Sequence, residues 1–110
     1  MTDSSSSIPT PAANPDPAYQ KLLGETARVS WGEIERLFGV GKVVRVAEGL
    51  DLVEVAQAFA DDNAAALRTW MDASRVGLLD DAHALRWSSE PQISLWAVVV
   101  RPWVLVQERP

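Results

Sequence analysis

His83 is the only histidine in the chain, and two acids, Asp80 and Asp81, stand just before it. A carboxylate and an imidazole three residues apart meet on one helix face, which is how a metal site or an oriented base begins. Two ligands are too few to select a metal, and acids at a helix start are already explained by the helix dipole. A second set is Asp51, Glu54, Asp61 and Asp62. Paired carboxylates hold a divalent cation or act as acid and base when burial raises one pKa. Here Asp51 and Glu54 read as a helix cap, and Asp61 and Asp62 as a turn with the next cap. Serines 30, 74, 88, 89 and 94 have no base assignable by spacing, and no phosphate-cradling glycine loop or dinucleotide fingerprint is present. No metal or cofactor is therefore expected, and an enzyme acting on a small molecule through a carboxylate site ranks third among the readings.

Cations are no richer in implication. The formal charge is −5. The stretch from Asp51 to Asp72 holds five acids against Arg68 alone, a distribution that repels phosphate backbones. Nucleic-acid contacts, if made, would fall to Arg68, Arg75 and Arg101.

The aromatic and apolar residues point elsewhere. Five tryptophans, at 31, 70, 87, 96 and 103, are many for 110 residues. Trp31 and Trp70 sit at helical core spacing. Trp96 and Trp103 flank the Arg101-Pro102 break in the most apolar stretch, "WAVVVRPWVLVQE". That run is about half of the ~20 residues a spanning helix needs, so no membrane passage is expected. The start of the chain lacks the basic and apolar segments of a signal peptide, and cysteine is absent, so a cytoplasmic setting is expected. Continuous apolar strands are covered on both faces. Three helices on one face would leave a surplus for a partner, with Trp96, Arg101, Trp103 and Val104 as the interface and a homodimer or protein partner as the occupant.

The elements that must position these residues follow from caps and periodicity. Residues 1–16, rich in Ser, Pro and Asp, read as a disordered tail. A single domain of residues 17–110 is expected. "DPAYQKLLGETA" is a short helix capped by Asp16, with Pro17 at its first position. "SWGEIERLFGVG" opens on the Ser30/Glu33 capping box and carries an apolar stripe of Trp31, Ile34, Leu37 and Phe38. Residues 42–47 alternate as a strand. Asp51 caps a helix over 51–60 that buries Leu52, Val55, Ala56 and Phe59. Asp62 or Asn63 caps another over "AAALRTWMDASRV", closed by "GLL". "DDAHALRWSSEP" is a last short helix. Two strands, 95–100 and 103–108, end the chain, as a hairpin turning at 101–102 or as one bent strand.

That order, helix-strand-helix-helix-(helix)-strand-strand, defines an α+β fold with helices packed on a small antiparallel sheet. It resembles the winged-helix topology, with the strand pair of 95–108 in the wing's place. A closer resemblance runs over roughly residues 25–108. The S-W-x-E-x-x-x-x-F start, the "LDLVEVA" helix and the "WAVVV-x-PWVLVQ" block are similar to the small bacterial family catalogued as domain of unknown function 2288. The resemblance implies a bacterial cytosolic domain and carries over no catalytic or binding residue. The leading reading is a non-catalytic protein-interaction or regulatory module, and the alternative is a winged-helix DNA-binding regulator.

Overall fold

The computed structural model describes residues 14–90 and 92–109. Most of the tail expected to be disordered, positions 1–13, lies outside the described residues. Its last three residues are placed, and Asp16 caps the first helix.

Among the described residues ten elements follow in order: α1 (Pro17–Gly24), β1 (Ala27–Val29), α2 (Trp31–Gly39), β2 (Val43–Val46), α3 (Leu52–Ala60), α4 (Ala64–Asp72), β3 (Val76–Leu78), α5 (Asp81–Ser89), β4 (Ser94–Val100) and β5 (Trp103–Arg109). Local chemistry starts the helices. Asp16 Oδ1 accepts from the Ala18 N–H at 2.9 Å. The Ser30 N–H donates to Glu33 Oε1 at 2.7 Å. Asp51 Oδ1 accepts from Val53 and Glu54, and Asp80 Oδ1 from the His83 N–H at 2.8 Å. Each satisfies a donor that the first helical turn leaves orphaned. Asn63, rather than Asp62, caps α4, its Oδ1 taking the Ala66 N–H; Asp62 turns the chain at φ +53°.

The five strands form one sheet in the order β1-β4-β5-β2-β3. β4 and β5 are an antiparallel hairpin, Val100 facing Trp103 across the Arg101-Pro102 turn. β5 runs parallel to β2, with Val43 against Val104. The sheet is thus mixed, not the antiparallel sheet expected. Two strands were not expected at all. β1 pairs Val29 with Leu95. β3 pairs Val76 with Val46, so the chain at 76–78 extends the sheet instead of prolonging and closing α4.

Side-chain alternation divides the sheet into two faces. One face presents Val44, Val46, Val76, Val98 and Leu105 to α1 and α3, through Tyr19, Leu22, Leu52, Val55 and Ala56. The other presents Val43, Leu95, Ala97, Val104 and Val106 to α2 and α5, through Ile34, Ala84 and Trp87. Burying a Leu or Val side chain of this kind contributes about 1.5–3 kcal/mol. Most of the long apolar run is therefore accounted for within the chain: β4 and β5 lie at the sheet's centre with helices on both sides, and Val99, near the hairpin turn, stays 52% exposed. The surplus expected from three helices on one face is reduced, because helices cover both faces: α1 and α3, with Trp70 of α4, on one and α2 and α5 on the other. The winged-helix likeness stops at element order, since the strand pair placed as a wing is central here and one of its strands pairs in parallel with β2.

α3 is also more enclosed than its stripe suggested. Val53 and Ala58 are buried along with Leu52, Val55 and Ala56, while Phe59 is half-buried. Among the described residues one polar side chain is buried in the core. Gln107 is 2% exposed, and its Nε2 donates to the carbonyls of Ala47 at 2.9 Å and Leu50 at 2.7 Å. Its Oε1 accepts from Arg109 Nε at 3.0 Å. β5 is thereby tied to the loop that leads into α3.

Candidate functional site

β1 is an edge strand: β4 pairs with one side, and no strand among the described residues pairs with the other. At this edge, on the face covered by α2 and α5, lies a cleft of about 510 Å³. Its apolar lining is Val29, Trp31, Ile93 and Leu95, with Trp87 behind. Arg28, Ser30, Ser88 and Glu90 form a polar rim. The sequence builds it locally. β1 passes straight into the cap of α2 at Ser30, which sets Trp31 beside the strand's last residue. α5 stops at Ser89, and Ile93 and Leu95, around the start of β4, complete the wall. Trp31 is half-buried, its ring 5.7 Å from that of Phe38. Trp87 is 2% exposed, and its Nε1 donates to Glu108 at 3.2 Å. The cleft falls in the ordinary size range of ligand pockets, and its mix of apolar wall and few polar groups matches theirs.

Charges around the edge are mostly engaged. Glu25 pairs with Lys21 at 3.4 Å, Glu33 holds the Ser30 N–H, and Glu90 pairs with Arg86 at 3.6 Å. Arg28 is exposed and makes no ion pair among the described residues.

A second, polar hollow of about 170 Å³ is lined by Arg45, Glu48, His83, Arg86, Trp87 and Glu108. Asp80 accepts from the ring of His83, with Nδ1 2.9 Å from each carboxylate oxygen. The His83 backbone N–H and then its ring hold the Asp80 carboxyl below the usual range. Burial works against the charge of Glu108, but the Arg86 guanidinium and the Trp87 N–H outweigh it and lower its pKa. Arg86 is in turn committed to Glu108 and Glu90, and Arg45 Nη2 donates to the Ser74 carbonyl. The hollow brings His83 together with two glutamates, as a carboxylate site would require, but His83 is held by Asp80 and Glu108 by Arg86 and Trp87.

The remaining residues singled out by sequence are scattered. Glu54 and Asp61 line a shallow cleft of about 260 Å³ between α3 and α4, while Asp51 caps α3 and accepts from Tyr19. Among the described residues no three potential metal ligands cluster. Ser88 and Ser89 donate to the Leu85 carbonyl. Arg68 lies on α4. Arg75 precedes β3, and its carbonyl accepts from the Ala47 N–H just past the end of β2. Arg101 is in the hairpin turn, next to the start of β2. Arg75 and Arg101 thus flank opposite ends of the sheet and form no common basic stripe. Of the expected interface, Trp96 and Trp103 are half-buried against the first core, under Arg109 at 5.2 Å and Lys42 at 5.9 Å respectively. Val104 is 9% exposed, inside the second core. Only Arg101 is fully at the surface. Ile93 and Val29 were not picked out by sequence; the only signal was a β-branched residue just before the Ser30 cap.

The architecture is a helix-sheet-helix sandwich with an open-edged cleft. A family model described as "Protein of unknown function (DUF2288)" matches residues 17–108, and the chain belongs to that family. It is similar to the solution NMR structure of PA1075 from Pseudomonas aeruginosa, at 41% identity over 84% of this chain and 85% of that one, with a TM-score of 0.75. No curated protein matches the chain. No helix among the described residues is long and apolar enough to cross a membrane.

Proposed function

We propose that the chain is a non-catalytic protein-interaction module that takes an extended segment of a partner protein along β1. The observation that carries this is the unpaired outer edge of β1 beside the Trp31 cleft. An added strand gains affinity from main-chain hydrogen bonds and specificity from a pocket that receives alternate side chains. Both parts stand side by side at this edge. The homodimer expected from sequence rested on surplus apolar surface, most of which the helices cover. A photo-crosslinking residue placed at the exposed Ala27 tests the reading in extract of the source cells. The expected result is a discrete crosslinked partner whose capture falls away in Trp31→Ala. Equal capture from a control position at Met71, or capture indifferent to Trp31→Ala in a chain shown to be folded, would overturn it.

A second reading, a small polar-ligand site that includes the enzyme alternative, is favoured by the convergence of His83, Glu48 and Glu108. At about 170 Å³ the hollow is smaller than the ~300–1,000 Å³ of most ligand sites. A DNA-binding role draws no comparable support from the separated positions of Arg75 and Arg101.

A further inference from the structure

Register and charge at the β1 edge specify more than an empty seat. Arg28 pairs with Trp96, and Val29 with Leu95. Val29 and Leu95 line the cleft, so a residue set against Val29 by a new strand would point its side chain there. The neighbouring residue of that strand would stand against Arg28 and point to the opposite face, because successive side chains alternate. Arg28 makes no ion pair among the described residues. The nearby acids Glu25, Glu33 and Glu90 are already engaged.

A second copy of the chain fits this edge poorly. The antiparallel register that pairs all three β1 residues across a two-fold axis sets Arg28 against its own counterpart. Like charges directly opposite are destabilising. A one-residue slip does not help, because it turns every side chain to the wrong face.

Resting on the reading above, we infer that the partner segment is acidic and apolar in adjacent positions: an Asp or Glu against Arg28, and beside it an apolar side chain lodged against Val29 and Trp31. The charge selects the partner, and the cleft anchors it.

Panning the full chain against a phage-displayed random dodecapeptide library tests this. The expected result is enrichment of clones in which an acidic residue adjoins an apolar one. A selected peptide should lose about fivefold in affinity on Arg28→Glu, the upper range for an exposed ion pair. Repeating the selection on Arg28→Glu should exchange the acidic residue for Lys or Arg and retain the apolar one. Arg28 is exposed, so this variant keeps its fold. Selection of apolar peptides without an acidic preference, or with one that Arg28→Glu does not reverse, overturns the inference and leaves the edge-pairing reading standing. Failure to enrich any peptide whose binding depends on Trp31 overturns both.

Discussion

Replacing Gln107 by Met should cost about 2–4 kcal/mol. The amide is buried and donates to two backbone carbonyls, at Ala47 and Leu50. Met has nearly the same shape but no donor, so both carbonyls are left without their partner. An abandoned buried acceptor costs about 1–3 kcal/mol. Ala47 and Leu50 are half-buried, so water reaches part of this region and the sum falls in the middle of its range. The added apolar contact of Met offsets some of the loss. Against a typical domain stability of roughly 5–15 kcal/mol, the shift is large. Urea unfolding followed by tryptophan fluorescence reads it as a lower midpoint at unchanged slope. Gln107→Glu serves as a control for donation itself: it keeps the size and the acceptor for Arg109 but turns a carboxylate towards two carbonyls, so it should cost more than Met near neutrality and recover as the pH falls. A loss below ~0.5 kcal/mol in Gln107→Met would show that the loop before α3 does not depend on β5, and the packing argument would fail there.

Tyr19 links α1 to the cap of α3, its hydroxyl donating to Asp51 Oδ2 at 2.5 Å. Burial first, then this hydrogen bond, pushes the phenol pKa above its ordinary value. A raised pKa contributes stability that is complete below the unfolded value, about 10, and is lost as the pH rises beyond it. Denaturant midpoints should therefore fall above pH ~10 in the wild type and fall less in Tyr19→Phe, which should lose about 1 kcal/mol at neutrality; parallel curves would remove the assignment. Val104→Lys puts an ammonium in the second core, and circular dichroism should show unfolding, whereas a folded chain with only an altered oligomeric state would place Val104 at an interface. Phe59→Ala, at a half-buried site, should cost less than the ~3–5 kcal/mol of a fully buried phenylalanine, and an equal loss in thermal melts would show that Phe59 is core.

Much of the helical framework was legible because its signals are local. Asp16, Ser30 with Glu33, Asp51 and Asp80 cap helices where their side-chain chemistry says they should. The turn at Arg101-Pro102 follows from the donor proline lacks. What stayed hidden is set at long range. The triplets at β1 and β3 are too short for periodicity, and their strand character comes from Leu95 and Val46, distant in sequence. The parallel pairing of β2 with β5 leaves no local trace. These misses also explain the misjudged surface. Without β1 and β3 the sheet looked narrower, and α1 and α3 could not be assigned to the face opposite α2 and α5. The candidate site suffered most, because its cleft is made where β1 meets β4. Trp31 read as a core residue, and Trp96 and Trp103 looked more exposed than they are.

Amide hydrogen exchange of the chain, free and bound to a selected peptide, tests the central claim most directly. Edge pairing predicts slowed exchange at Ala27–Val29 on binding, since an added strand takes up amides that faced water. Protection that appears at the hairpin end around 99–104 instead, with Ala27–Val29 unchanged, would contradict it.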